Sequence, residues 1–192
     1  MAVKTRIAET VSAATRLPLM AVPLFGVVGL AAAGASGLLW AILCIALTSG
    51  LSLLYLLYLT RAGKVGDPRR ISQRERVGPL RVVAALHVAA FVLITLLGAP
   101  VELRAVLLSY ALATALFALL ASRVNLSLHA AGVSGAAVCL AFVFGLWASP
   151  AFVLVPLVLW ARAALGRHTA AELALGVLVG GGGTLVSFFL IG

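Results

Sequence analysis

Long apolar runs, separated by short basic stretches, cover most of the chain. They fall at residues 17–34, 37–60, 82–99, 105–122, 130–148, 151–165 and 173–191. Each approaches or exceeds the roughly 18 to 20 apolar residues that span a bilayer. The sixth is short and contains Pro156. In hydrocarbon a backbone must pair its own polar groups, which leaves helices or a closed barrel. No period-2 alternation marks barrel strands. The pattern therefore predicts an all-α, polytopic membrane helical bundle of six or seven transmembrane helices, with residues 1–192 as one transmembrane domain.

Composition agrees. Hydrophobic residues make up 64% of the 192 and charged residues 10%, against about half and about a quarter in soluble domains. So much apolar surface exceeds what a core of this size can bury. Cys44 and Cys139 lie inside apolar runs without a motif and read as packing residues. Lys4, Arg6 and Arg16 precede an apolar run that carries Ala31-Ala32-Ala33, features shared with signal peptides. The long polar lead-in favours a retained first helix.

Charge adds sidedness. The net charge of +9 does not imply nucleic acid as a partner, because the basic residues sit in loops between apolar runs. Numbering the loops alternately puts 13 of the 14 Lys and Arg on one side and only Arg104, beside Glu102, on the other. By the positive-inside rule the crowded side is cytoplasmic. Setting aside Arg69, Arg76 and Arg162 still leaves ten against one.

Three polar clusters lie at predicted helix ends on that basic side. They are the stretches at 67–76, 125–129 and 162–172. In the third, His168 and Glu172 are four apart and share a face if a helix begins near Thr169. A carboxylate beside an imidazole selects one tautomer and raises its basicity, which suits a nucleophile. Arg162 is a permanent cation whose fork matches phosphate oxygens. In the second, Ser127 is a plausible N-cap and His129 falls in the first helical turn. Free N–H groups there favour an anion, and His129 is placed to protonate a leaving oxygen. The first cluster offers Arg69 and Arg76 to the remaining phosphoryl oxygens.

The third cluster resembles the signature of the type-2 phosphatidic acid phosphatase superfamily, the membrane lipid-phosphate phosphatases related to vanadium haloperoxidases. That signature reads S-R-x5-H-x3-D, and this chain reads Ala161-Arg162-x5-His168-x3-Glu172. The family's P-S-G-H motif is similar to Leu126-Ser127-Leu128-His129. Its K-x6-R-P motif is similar to Arg69-x6-Arg76, with Pro79 displaced by two residues. Gly176 and Gly180 follow as in the family's last helix. Glu172 has one methylene more than Asp, Ala161 lacks a hydroxyl that commonly binds phosphate, and Leu128 stands where the family has glycine.

The resemblance implies hydrolysis of a lipid phosphate or polyprenyl (di)phosphate through a phosphohistidine, without metal or other cofactor. His168 would be the nucleophile, His129 the acid and base, and Glu172 the orienting carboxylate. Arg69, Arg76, Arg162 and Ser127 would hold the phosphoryl oxygens. Membrane lipids, and a lipid phosphate as substrate, are the implied partners. A non-catalytic lipid-phosphate binder is the second reading, prompted by Ala161 and Leu128. A transporter is the third, disfavoured because polar residues gather at helix ends rather than mid-span. His87 matches no motif and reads as structural, the 180–183 glycines as a helix-packing surface, and Trp40, Trp147 and Trp160 as interface anchors.

Overall fold

The computed structural model describes residues 2–66 and 73–192, with Ala2 and Arg74 described by backbone alone. Within these residues the chain is helical, with turns between. Helix α1 spans Ala2–Ala14, α2 Leu17–Ile45, α3 Leu51–Arg61, α4 Gln73–Leu96 and α5 Val101–Leu120. Helix α6 spans Leu128–Phe144, α7 Leu154–Ala164, α8 Ala170–Val177 and α9 Gly183–Ile191. A π-helical turn, Ala46–Gly50, joins α2 to α3, and another, Leu178–Gly182, joins α8 to α9.

Five continuous apolar stretches are long enough to cross a bilayer: Leu17–Arg61, Glu75–Leu96, Val101–Leu120, Leu128–Ala164 and Ala170–Ile191. The first has 45 residues and the fourth 37. As straight helices they would run to about 68 and 55 Å, roughly double the hydrocarbon thickness. Both instead turn back. Gly34 has φ +58° within α2, and Gly145 has φ +63° at the end of α6, a region that favours glycine. The α2 reversal brings Gly29 against Gly37 so closely that a Cβ on either would overlap the other's backbone. Among the described residues, the result is a multi-pass bundle in which five apolar stretches, two of them folded back, give seven apolar arms.

The second reversal falls earlier than the break expected at 148–151. Pro150 sits inside a 3-10 stretch, Gly145–Val153, that leads into α7. Proline tolerates that helical φ, whereas the left-handed conformation of a sharp reversal goes to glycine.

Apolar side chains face outward as well as inward, as expected where lipid is the solvent. Leu96, Leu119 and Phe189 are at least 73% exposed, and Trp147 at the α6–α7 reversal is 93% exposed. Inside, a larger cluster gathers Phe25, Val28, Ile94, Leu103, Leu107 and Cys139. A smaller one gathers Leu80, Phe117, Ala121, Leu126 and Ala131. Helix α5 packs on α4, α9 and α2, and α6 packs on α7, α8, α9 and α2. Close approach of the last arm to α6 depends on missing side chains. A Cβ on Gly176 would press on the Ser127 carbonyl, and one on Gly180 would overlap the Ala131 backbone.

His87 is buried mid-helix and joins three helices. Its Nδ1–H donates to Thr114 Oγ1 on α5 at 3.3 Å, because the Thr114 hydroxyl already donates to the Tyr110 carbonyl at 2.6 Å. Its Nε2 lies 3.5 Å from Ser52 Oγ on α3, a long contact. This arrangement fits the structural role read from the sequence.

Candidate active site

The α6–α7 reversal returns Arg162, on the last turn of α7, to the end of the bundle where α6 begins. Helix α8 starts at the same end. Thr169 is its N-cap and Glu172 its N3 residue, and together they form a reciprocal capping box. The Thr169 N–H donates to Glu172 Oε2 at 2.9 Å, and the Glu172 N–H donates to Thr169 Oγ1 at 3.3 Å. That box holds the turn on which His168 sits.

Chemistry assigns the His168 tautomer. Its Nδ1 lies 3.0 Å from the Asn125 carbonyl, which only accepts, so Nδ1 carries the hydrogen. Its Nε2 lies 3.3 Å from Arg162 Nη2, which only donates, so Nε2 presents a lone pair. Glu172 Oε2 stands 3.5 Å from Nδ1, with the His168 side chain 4% exposed. The imidazole pKa is lowered below its ordinary value, first by burial and then by the Arg162 cation. His168 is therefore a neutral imidazole with a lone pair beside a guanidinium.

Arg162 connects the group. Besides His168, it donates from Nη1 to Ser12 Oγ at 2.8 Å. Its buried Nε has no acceptor among the described residues. His129, in the first turn of α6, donates from Nε2 to the Ser12 carbonyl at 3.1 Å. Arg162 and His168 both lie within electrostatic reach of His129. Arg76, on the first turns of α4, donates from Nη1 to Asn125 Oδ1 at 3.1 Å. It also stands within electrostatic reach of Glu172, Arg162 and His168. Beside Arg76 and Asn125 is a crevice of about 10 Å³, lined also by Gln73 and Phe117, with room for about one water.

Five of the seven residues singled out in the sequence thus gather at one end of the bundle: His168, His129, Glu172, Arg76 and Arg162. Arg69 lies outside the described residues. Ser127 is the N-cap of α6, as expected, but the rest of its expected role is not met. It is fully buried, its hydroxyl accepts the Ala130 N–H at 3.3 Å, and its carbonyl packs beneath Gly176. This hydroxyl serves the helix end rather than the charged group. Leu128 packs against the apolar cluster of Leu80, Phe117 and Leu126. Ala161 is fully buried.

Two participants escaped the sequence reading, Asn125 as an orienting carbonyl and Ser12 from α1. A backbone acceptor carries no residue signature. Ser12 had one faint signal, its place four residues after Ala8 on the buried stripe of α1.

Fold and site together define an all-α, multi-pass membrane protein with a histidine- and arginine-rich cluster at one end. No protein-family model, curated protein or solved structure matches the chain.

Proposed function

We propose that the protein is a phosphatase acting on a lipid phosphate or polyprenyl (di)phosphate at the membrane face, through a phosphohistidine and without metal. The observation that carries this reading is the Arg162–His168 contact. It places the lone pair of an imidazole nitrogen beside a guanidinium whose Nε has no acceptor among the described residues. A phosphoryl group supplies what both need, an electrophilic phosphorus for the nitrogen and anionic oxygens for the guanidinium.

Those positions support the following reaction. The phosphoryl group draws the Arg162 Nη2 hydrogen to one of its oxygens, which frees the His168 lone pair. That pair attacks phosphorus, and the bond to the lipid oxygen breaks with its electrons on oxygen. His129 protonates that oxygen and the lipid alcohol leaves. His129 then takes a proton from water, the resulting hydroxide attacks phosphorus, and the P–N bond breaks with its electrons returned to Nε2. Arg162 and Arg76 balance charge on the equatorial oxygens, with Arg69 assigned the same task from its motif. Ser127 contributes by holding the α6 N-terminus, and Asn125 and Glu172 keep the proton on Nδ1 of His168.

The test is phosphate release by the detergent-solubilised protein, in the presence of a chelator, from phosphatidic acid, phosphatidylglycerol phosphate and polyprenyl phosphates and diphosphates. Release from at least one is expected, and none from any would reject the proposal. Saturable binding without release would favour the non-catalytic reading. The same assay fixes a pH dependence. The nucleophile must be neutral and its pKa is lowered, so the neutral form persists to lower pH. The acid limb of the rate profile should therefore fall below 6.5, the ordinary imidazole value. A limb at or above 6.5 would contradict the assignment of His168.

By the positive-inside rule, the basic loops support a cytoplasmic position for this end of the bundle. Cys44 and Cys139 are buried and give little background, while Arg167 is exposed. Arg167→Cys should be labelled by a membrane-impermeant maleimide only from the cytoplasmic side. Labelling from outside alone would reverse the orientation and favour lipids of the outer leaflet.

A further inference from the structure

Helix α1 is the one element of the cluster that lies outside all three polar motifs, yet it makes two of the cluster's hydrogen bonds. It packs along α7 through a narrow stripe in which Ala8 is fully buried and Ser12 is 91% buried, since only 9% of it is exposed. Near its C-terminus the carbonyls run out of helical partners. Arg16 N–H, which would reach back to Ser12, bonds to the Ala13 carbonyl instead. The Ser12 carbonyl is thus left to His129 Nε2, 117 residues away, and the Ser12 hydroxyl to Arg162 Nη1, 150 residues away. One residue thereby ties the two helices that carry the acid and the anion clamp.

We infer that Ser12 is a positioning residue of this site, its carbonyl setting the tautomer of His129 and its hydroxyl setting the fork of Arg162. The inference rests on the phosphoryl-transfer reading above and extends it to a segment with no motif. A carbonyl only accepts, so His129 must hold its hydrogen on Nε2. The nitrogen left for proton exchange with a substrate is then Nδ1, bare in the neutral ring and protonated in the cation. This is the mirror image of His168, where a carbonyl holds Nδ1 and leaves Nε2 to react. The hydroxyl has a separate task. Position 161 is alanine, so the residue before Arg162 brings no hydroxyl, and Ser12 supplies one from another helix. With Nη1 anchored there and Nη2 on His168, the buried Nε edge is held for an anion.

Two measurements on the protein in detergent test this, and neither requires turnover. The first is nitrogen NMR of 15N-histidine-labelled protein. His129 should appear as the Nε2–H tautomer and His168 as Nδ1–H, and His129 found as Nδ1–H overturns the inference. The second uses orthovanadate as a phosphate mimic. Ser12→Ala keeps the carbonyl and loses the hydroxyl, so it should leave the His129 tautomer unchanged and weaken orthovanadate about tenfold. Ser12→Thr should restore binding. In the phosphatase assay, Ser12→Ala should raise KM by a similar factor and change kcat less than twofold. Orthovanadate bound equally by wild type and Ser12→Ala, or by neither, overturns the proposal. If phosphate release is absent but orthovanadate binding depends on Ser12, the catalytic reading fails and the positioning role stands.

Discussion

His168→Ala is expected to remove phosphate release altogether, a loss of at least about a thousandfold, because it deletes the atom to which the phosphoryl group bonds. The other nucleophiles among the described residues are committed elsewhere. His129 spends Nε2 on the Ser12 carbonyl and is assigned its other nitrogen for proton transfer, and the buried thiols of Cys44 and Cys139 lie in apolar runs. The variant should fold, because α8 is started by the Thr169–Glu172 capping box, which His168 does not enter. Glu172→Gln gives the contrast. Its oxygen is 3.5 Å from Nδ1, while the Asn125 carbonyl is 3.0 Å away and keeps the ring in its tautomer. Glu172→Gln should therefore cost much less, about tenfold, with part of that traced to a weaker capping box. The check is phosphate release together with acid-labile incorporation of label from a 32P-lipid phosphate. Label incorporated by His168→Ala, or release at the wild-type rate, would remove His168 from the role of nucleophile.

What the sequence made legible follows its periodic and local signals. The seven apolar runs correspond, among the described residues, to five apolar stretches of which two fold back on themselves, since apolar length is a direct measure of the bilayer. The start of α8 at Thr169 and of α6 at Ser127 were legible from capping chemistry, which acts over three residues. Spacing placed His168 and Glu172 together because both sit around one helix N-terminus. The misses are non-local. The reversal falls at Gly145 rather than at the 148–151 break between runs, because where a chain reverses depends on which residue tolerates positive φ against its packing partner. A motif records that Ser127 is present but not how deeply it lies. Ser12 and the Asn125 carbonyl emerged only when α1 and the 121–127 turn were placed against the last two arms. The same holds for the order of orienting groups on His168. Sequence offers a carboxylate as the obvious partner, whereas the nearer acceptor is a main-chain oxygen.

Arg162→Lys should lower kcat/KM by about a hundred- to a thousandfold, the usual effect of deleting one preorganised donor to a transition-state oxyanion. The charge is preserved, so the loss isolates geometry. In the wild type one planar group donates to Ser12 Oγ and His168 Nε2 and keeps a third N–H free of any acceptor among the described residues. An ammonium places all its hydrogens on a single nitrogen at the end of a flexible stem. It can approach the imidazole or the serine but cannot hold both and still offer a donor edge. Because Arg162 is also the leading charged neighbour that lowers the His168 pKa, Arg162→Gln should move the acid limb of the profile upward, while Arg162→Lys should leave it nearly in place. Those two behaviours separate charge from shape in one assay. A lysine variant with wild-type kcat/KM would mean that the guanidinium acts only as a counter-charge. The phosphoryl oxygens would then have to be held by Arg76 and the loop arginines alone.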